Sequence, residues 1–163
     1  MRRILAAALV AAACSGDAAL ACGYHGLIGN PFQASYPGSV GVAIATRGAI
    51  ESGAIPEPKS AAGALGLARS RRWLETLQVR LADQGLPDRL AVLVVDSGLW
   101  SRFTHDGQAA ALRFHTAGPE RGDQVLLVSE AALAALSAGA MRFNDARQRG
   151  LARLDPVQRS NPM

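Results

Sequence analysis

The run "LAVLVV", Leu90 to Val95, constrains the fold more than any other stretch of the chain. Side chains of a strand point alternately to two faces, so an unbroken apolar run needs cover on both. Leu90–Val95 therefore reads as a buried central strand. The segment before it has a different period. Between Ala61 and Gln84, Leu67, Leu74, Leu77 and Leu81 fall on one helical face with Trp73 beside them. Arg69, Arg71, Glu75, Gln78 and Arg80 occupy the remainder, which predicts an amphipathic helix. The cluster Arg69, Arg71 and Arg72 is expected on its solvated side. Gly85 ends this helix and Pro87 prevents its resumption.

Shorter elements follow. Trp100–Thr104 reads as a second strand, and "HDG" (His105–Gly107) as a turn. "ALRFHT", Ala111–Thr116, alternates, with Leu112 and Phe114 on one face and Arg113 and His115 on the other. That places His115 on a polar, exposed face. "GPERGD" is another turn, and Val125–Val128 another strand. Ser129 then caps an Ala/Leu helix, Glu130–Ala138, which Gly139 stops. Upstream, Ser39 is placed to cap a short Ala-rich helix, Val40–Ser52, although Gly41 and Gly48 weaken it and a strand is the alternative. "IPEPK", Ile55–Lys59, is an extended linker. The order helix, strands, helix gives an α+β fold, a largely antiparallel sheet with helices on one side.

The first 21 residues have the layout of a secretory signal. Arg2 and Arg3 form a charged start, Ile4–Ala13 an apolar stretch too short to span a bilayer, and Ala19-Leu20-Ala21 an A-x-A cleavage triplet. The expected organisation is a signal peptide at 1–21, an irregular arm with a short helix at 22–58, an α+β domain at 59–155 and a tail at 156–163. The mature chain would start at Cys22 and be periplasmic or secreted. Cys14 would leave with the signal, so no disulfide could form within the mature chain. Three readings of Cys22 then stand open. It joins His25 in the "CGYH" arm as a ligand for Cu(I) or Zn. It, or Cys14, carries a lipid, making an outer-membrane lipoprotein that touches the membrane only through that anchor. Or it is a terminal thiol without a role.

Composition narrows the function. The net charge is +4, but the arginines are scattered and aromatic residues are only 5%, so the dense basic face with stacking rings that nucleic acids require is absent. No phosphate-binding glycine loop, G-x-S-x-G, H-E-x-x-H or C-x-x-C occurs. Asp96-Ser97 with His105 or His115 would supply the residue types of a nucleophile and base, yet Asp96-Ser97-Gly98 reads as a turn between strands. The expectation is a non-catalytic protein without a cofactor.

The C-terminal half, "LLVSEAALAALSAGAM" followed by "RFNDARQRGLARLD", resembles the sterol carrier protein family. In that family a strand runs into a helix with an acidic start, followed by a Gly-x-Met step, a short helix opened by an alanine, a glycine and a final strand. The corresponding residues are Gly139-Ala140-Met141, Ala146, Gly150 and "LARLD", and the likeness spans roughly residues 60–155. It departs at Ala140, where the family usually has lysine, and at Phe143, near its usual proline. The resemblance implies an apolar compartment between sheet and helices for an acyl chain, sterol or isoprenoid, bound without metal or covalent chemistry. Leu112, Phe114, Leu133, Leu136, Met141, Phe143 and Leu151 are the candidate lining residues. The alternative is an accessory role, binding metal through Cys22 and His25 or docking a periplasmic partner through residues 22–38.

Overall fold

A computed structural model describes residues 36–82, 87–105 and 110–156. Nine elements follow in order: α1 (Ser39–Glu51), α2 (Gly63–Ala82), β1 (Arg89–Val94), β2 (Leu99–His105), β3 (Ala110–Phe114), β4 (Gln124–Val128), α3 (Glu130–Ala138), α4 (Phe143–Gln148) and β5 (Ala152–Asp155). The five strands form one sheet in the order β3-β2-β1-β4-β5. β1 pairs with β2 antiparallel and with β4 parallel, while β2–β3 and β4–β5 are antiparallel. The fold is α+β with a mostly antiparallel sheet. The apolar run does occupy the centre: Leu90 to Val94 are all buried.

Alternation along the strands builds two apolar layers. Leu90, Val92 and Val94 join Leu99, Phe103, Leu126 and Val128 in the larger core, together with Leu74, Leu77 and Leu81 of α2 and Leu133 and Leu136 of α3. The opposite face of the sheet carries Ala91, Leu93, Val125 and Leu127, against which Val42 of α1 packs. Helix α1 thus departs from a one-sided arrangement: Val42 reaches that second face, while Ala45, Ala49 and Ile50 pack on the main core. Burying each inward leucine of α2 stabilises the fold by about 1.5–3 kcal/mol, which adds to the strong helix propensity of its many Ala, Leu and Arg residues.

The caps at the two ends of α3 are as the sequence predicts. Ser129 Oγ accepts from the Ala132 N–H at 3.1 Å, and Gly139 takes φ 73° at the C-terminus. Helix α1 differs from expectation at its start. Gly38, with φ 98°, is the N-cap, and Ser39 is already helical. Two further expectations are corrected. His105 is the last residue of β2 rather than part of a turn, because its N–H bonds the Asp88 carbonyl at 2.8 Å. β3 ends at Phe114, and His115 lies just beyond it in the left-handed region at φ 60°, exposed as the alternation with Arg113 predicts but outside the strand. The chain bends there because the Thr116 N–H bonds back to the Trp100 carbonyl at 2.9 Å.

Candidate ligand-binding site

Antiparallel and parallel registers align side chains into rows across the helix-covered face. One row runs Phe114, Ser101, Val92, Leu126 and Leu154 from edge to edge; a second places Leu112 beside Phe103 and Leu90. Helices α2 and α3 lie over these rows against one another, and α2 also touches β3. All seven candidate lining residues meet in this one cluster. Leu133, Leu136, Phe143 and Leu151 are buried in it, and Leu112, Phe114 and Met141 are partly buried against it.

The cluster is not uniformly closed. Leu67 and Trp73 of α2 are also only partly buried. Leu112 and Phe114 form a partly buried apolar rim along edge strand β3, beside α2. Inside the rim, the row contains one polar residue. Ser101 is fully buried and its Oγ has no hydrogen-bond partner. A buried hydroxyl without a partner costs about 1–3 kcal/mol, so its place between Val92 and Phe114 is not explained by stability. Sequence reasoning missed Ser101; the signal was a serine at an inward-facing position of a strand whose other inward residues, Leu99 and Phe103, are apolar.

A polar cluster sits where the parallel strands β1 and β4 end. The Asp96 carboxylate accepts the Glu130 N–H at the start of α3. Arg69 donates to Glu130 at 2.8 Å and to the Lys59 carbonyl, and lies 4.7 Å from the Trp73 ring centre. Arg69 is therefore largely buried, unlike Arg71 and Arg72, which are exposed as the helical pattern predicts. Asp96 keeps an exposed side at the surface, but the groups packed around its carboxyl strip part of its water and raise it above its ordinary value, with the N–H of Glu130 pulling the other way. Burial likewise raises Glu130. Thr46 donates to Ser129 Oγ at 2.8 Å, tying α1 to the same corner. Asp96 thus serves as a helix cap, and the neighbouring Ser97 hydroxyl is buried without a hydrogen-bond partner. No base is bonded to Ser97, so the residue types of a triad are present without its hydrogen bonds.

No protein-family model, curated protein or solved structure matches this chain. Among the described residues no three His, Cys, Asp or Glu side chains gather as a metal site, and no helix is long and apolar enough to cross a membrane. Cys22 and His25, with the rest of the 22–35 arm, lie outside the described residues, as does the segment expected to be a signal.

A second polar network lies on the opposite face of the sheet. Arg102 of β2 is buried and donates to Asp123 Oδ2 at 2.8 Å, to Glu120 at 2.6 Å and to the Gly118 carbonyl at 3.0 Å. Arg89 reaches the same two carboxylates at 3.1 Å. The network fastens the Gly118–Asp123 turn to the sheet. The two acidic residues in that turn were its only visible signal.

Proposed function

We propose that this chain is an exported, non-catalytic protein that holds a hydrophobic small molecule, such as a fatty acyl chain or isoprenoid, between α2, α3 and the sheet. The observation that carries the reading is the unpartnered Ser101 hydroxyl, buried next to the partly buried Phe114 of edge strand β3. Ligand compartments are mostly apolar, with a few placed polar groups, and here one polar atom waits behind an incompletely covered apolar edge. A ligand hydroxyl or carbonyl at Ser101 would supply the missing hydrogen bond while its chain displaced the half-exposed side chains.

The resemblance to the sterol carrier protein family supports the same reading. β4 leads into α3 with Glu130 in its first turn; Gly139-Ala140-Met141 follows, then α4, Gly150 and β5. One detail differs from the expected pattern: α4 opens at Phe143, and Ala146 is a buried residue inside it. The signal-like start, residues 1–21, supports export.

Titration of the purified protein with a fluorescent fatty acid tests binding. Saturable uptake of one molecule per chain is expected, weakened about fivefold in Ser101→Ala by loss of one hydrogen bond. No uptake up to the solubility of the probe would refute the reading. Intact mass of the exported protein tests the rest, with a start at Cys22 expected.

A further inference from the structure

We infer that β5 is a pairing edge for a second copy of this chain. β5 ends the sheet, and among the described residues only β4 pairs with it. All four of its residues, Ala152 to Asp155, line a surface groove of about 740 Å³. Gly38 and Gly41 at the start of α1 form one wall, and Asn144, Arg147 and Gln148 of α4 another. The α1 wall stands back because Gly41 has no side chain: a Cβ there would meet no atom within 4 Å. The groove follows an unpaired strand, and such an edge offers backbone donors and acceptors to another strand.

The side chains select a second copy as the occupant. An isologous contact needs a surface complementary to itself. If two β5 strands run antiparallel about a two-fold axis at Leu154, each Leu154 faces its equivalent. Arg153 of one copy then faces Asp155 of the other, twice over. Opposite charges and apolar pairs at such directly opposed positions are favourable. Within one chain Arg153 already bonds Asp155 at 2.7 Å, with half of the arginine side chain exposed. The guanidinium is therefore on the correct face of the strand to share its donors with the facing carboxylate. Leu154 is half-buried and packs on the main core, so pairing extends that core across the axis. Pro156 has no N–H and limits the ladder to a few residues. A contact of that size falls at the low end of specific interfaces and is reversible.

Sedimentation analysis of the full chain from micromolar to submillimolar concentration is the test. A monomer–dimer equilibrium is expected. Arg153→Asp sets like charges opposite each other at two places and should weaken the dimer about tenfold; Arg153→Asp/Asp155→Arg should restore it. Gly41→Trp fills the groove from outside the packed core and should give a monomer whose melting temperature is no lower than that of the wild type. This variant decides the question if Arg153→Asp disturbs folding. A wild-type chain that stays monomeric throughout, or a dimer that Gly41→Trp leaves intact, would overturn the inference.

Discussion

Arg102 Nε donates to Asp123 Oδ2 at 2.8 Å, and the two side chains are 3% and 0% exposed. Asp123 also accepts the Glu120 N–H at 2.7 Å, so one carboxylate fixes both the strand and the turn that folds over it. The attraction between buried charges only offsets their loss of water, but removing one partner leaves the other uncompensated. Asp123→Ala should therefore cost about 3–5 kcal/mol in urea unfolding. Arg89→Ala should cost under about 1 kcal/mol, because the Arg89 side chain is half-exposed. Equal losses from the two substitutions would show that the turn is not held by the buried pair.

Ser129 joins three elements: it follows β4, caps α3 and accepts the Thr46 hydroxyl of α1. Ser129→Ala removes the cap and also leaves the buried Thr46 hydroxyl without its acceptor. A cap alone contributes about 0.5–2 kcal/mol, so the loss should lie at or above the upper end of that range. Thr46→Val removes only the donor and should cost less. In a double-mutant cycle the two effects should be non-additive, since both act on one bond. Additive effects would mean that α1 is not coupled to the start of α3 through this contact.

Much of this arrangement was legible in the sequence wherever one residue type forces one geometry. The Leu90–Val95 run needs two covered faces, and it has them. Ser129 and Gly139 bracket α3 because a hydroxyl and a left-handed glycine satisfy opposite helix ends. The missed features share a different cause. Alternation shows that Trp100, Arg102 and Thr104 share a face, but not that a turn twenty residues later covers Arg102 with two carboxylates. The helical pattern puts Arg69 off the leucine stripe, but whether water or Glu130 meets it depends on where α3 lands. Ser101 is similar: its inward direction follows from Leu99 and Phe103, whereas its lack of a partner depends on everything packed above it. Local chemistry fixed elements and caps; contacts between distant segments decided the polar sites.

The raised Asp96 carboxyl carries a pH signature. A carboxyl whose folded-state value lies above its unfolded value is more easily protonated in the native protein. Its ionised form therefore opposes folding. That opposition is fully present above the folded value and relieved as pH falls toward the ordinary carboxylate range near 3.8. Asp96→Asn keeps an oxygen that can accept the Glu130 N–H but has no charge to titrate. Relative to this variant, the wild type should gain stability as pH is lowered from 7 toward 4. Comparing the two across pH cancels the titration of every group they share. A difference that stays constant, or moves the other way, would show that burial does not control Asp96.

The rim and the deep core should respond in opposite ways to substitution. Leu133 is fully buried, and Leu133→Ala leaves a cavity, so about 2–5 kcal/mol of stability should be lost. Phe114 lies on edge strand β3 and is only partly buried against the core. Phe114→Ser removes less packed surface and should cost noticeably less than Leu133→Ala in the same unfolding assay. If ligand enters beneath α2 at this edge, Phe114→Ser should nevertheless weaken fatty-acid uptake by several-fold, whereas changing Leu65, 79% exposed at the start of α2, should alter neither property. Measuring stability and uptake on the same three variants separates the two roles. Uptake that simply tracks stability would assign Phe114 to the core alone and remove the edge as the entry route.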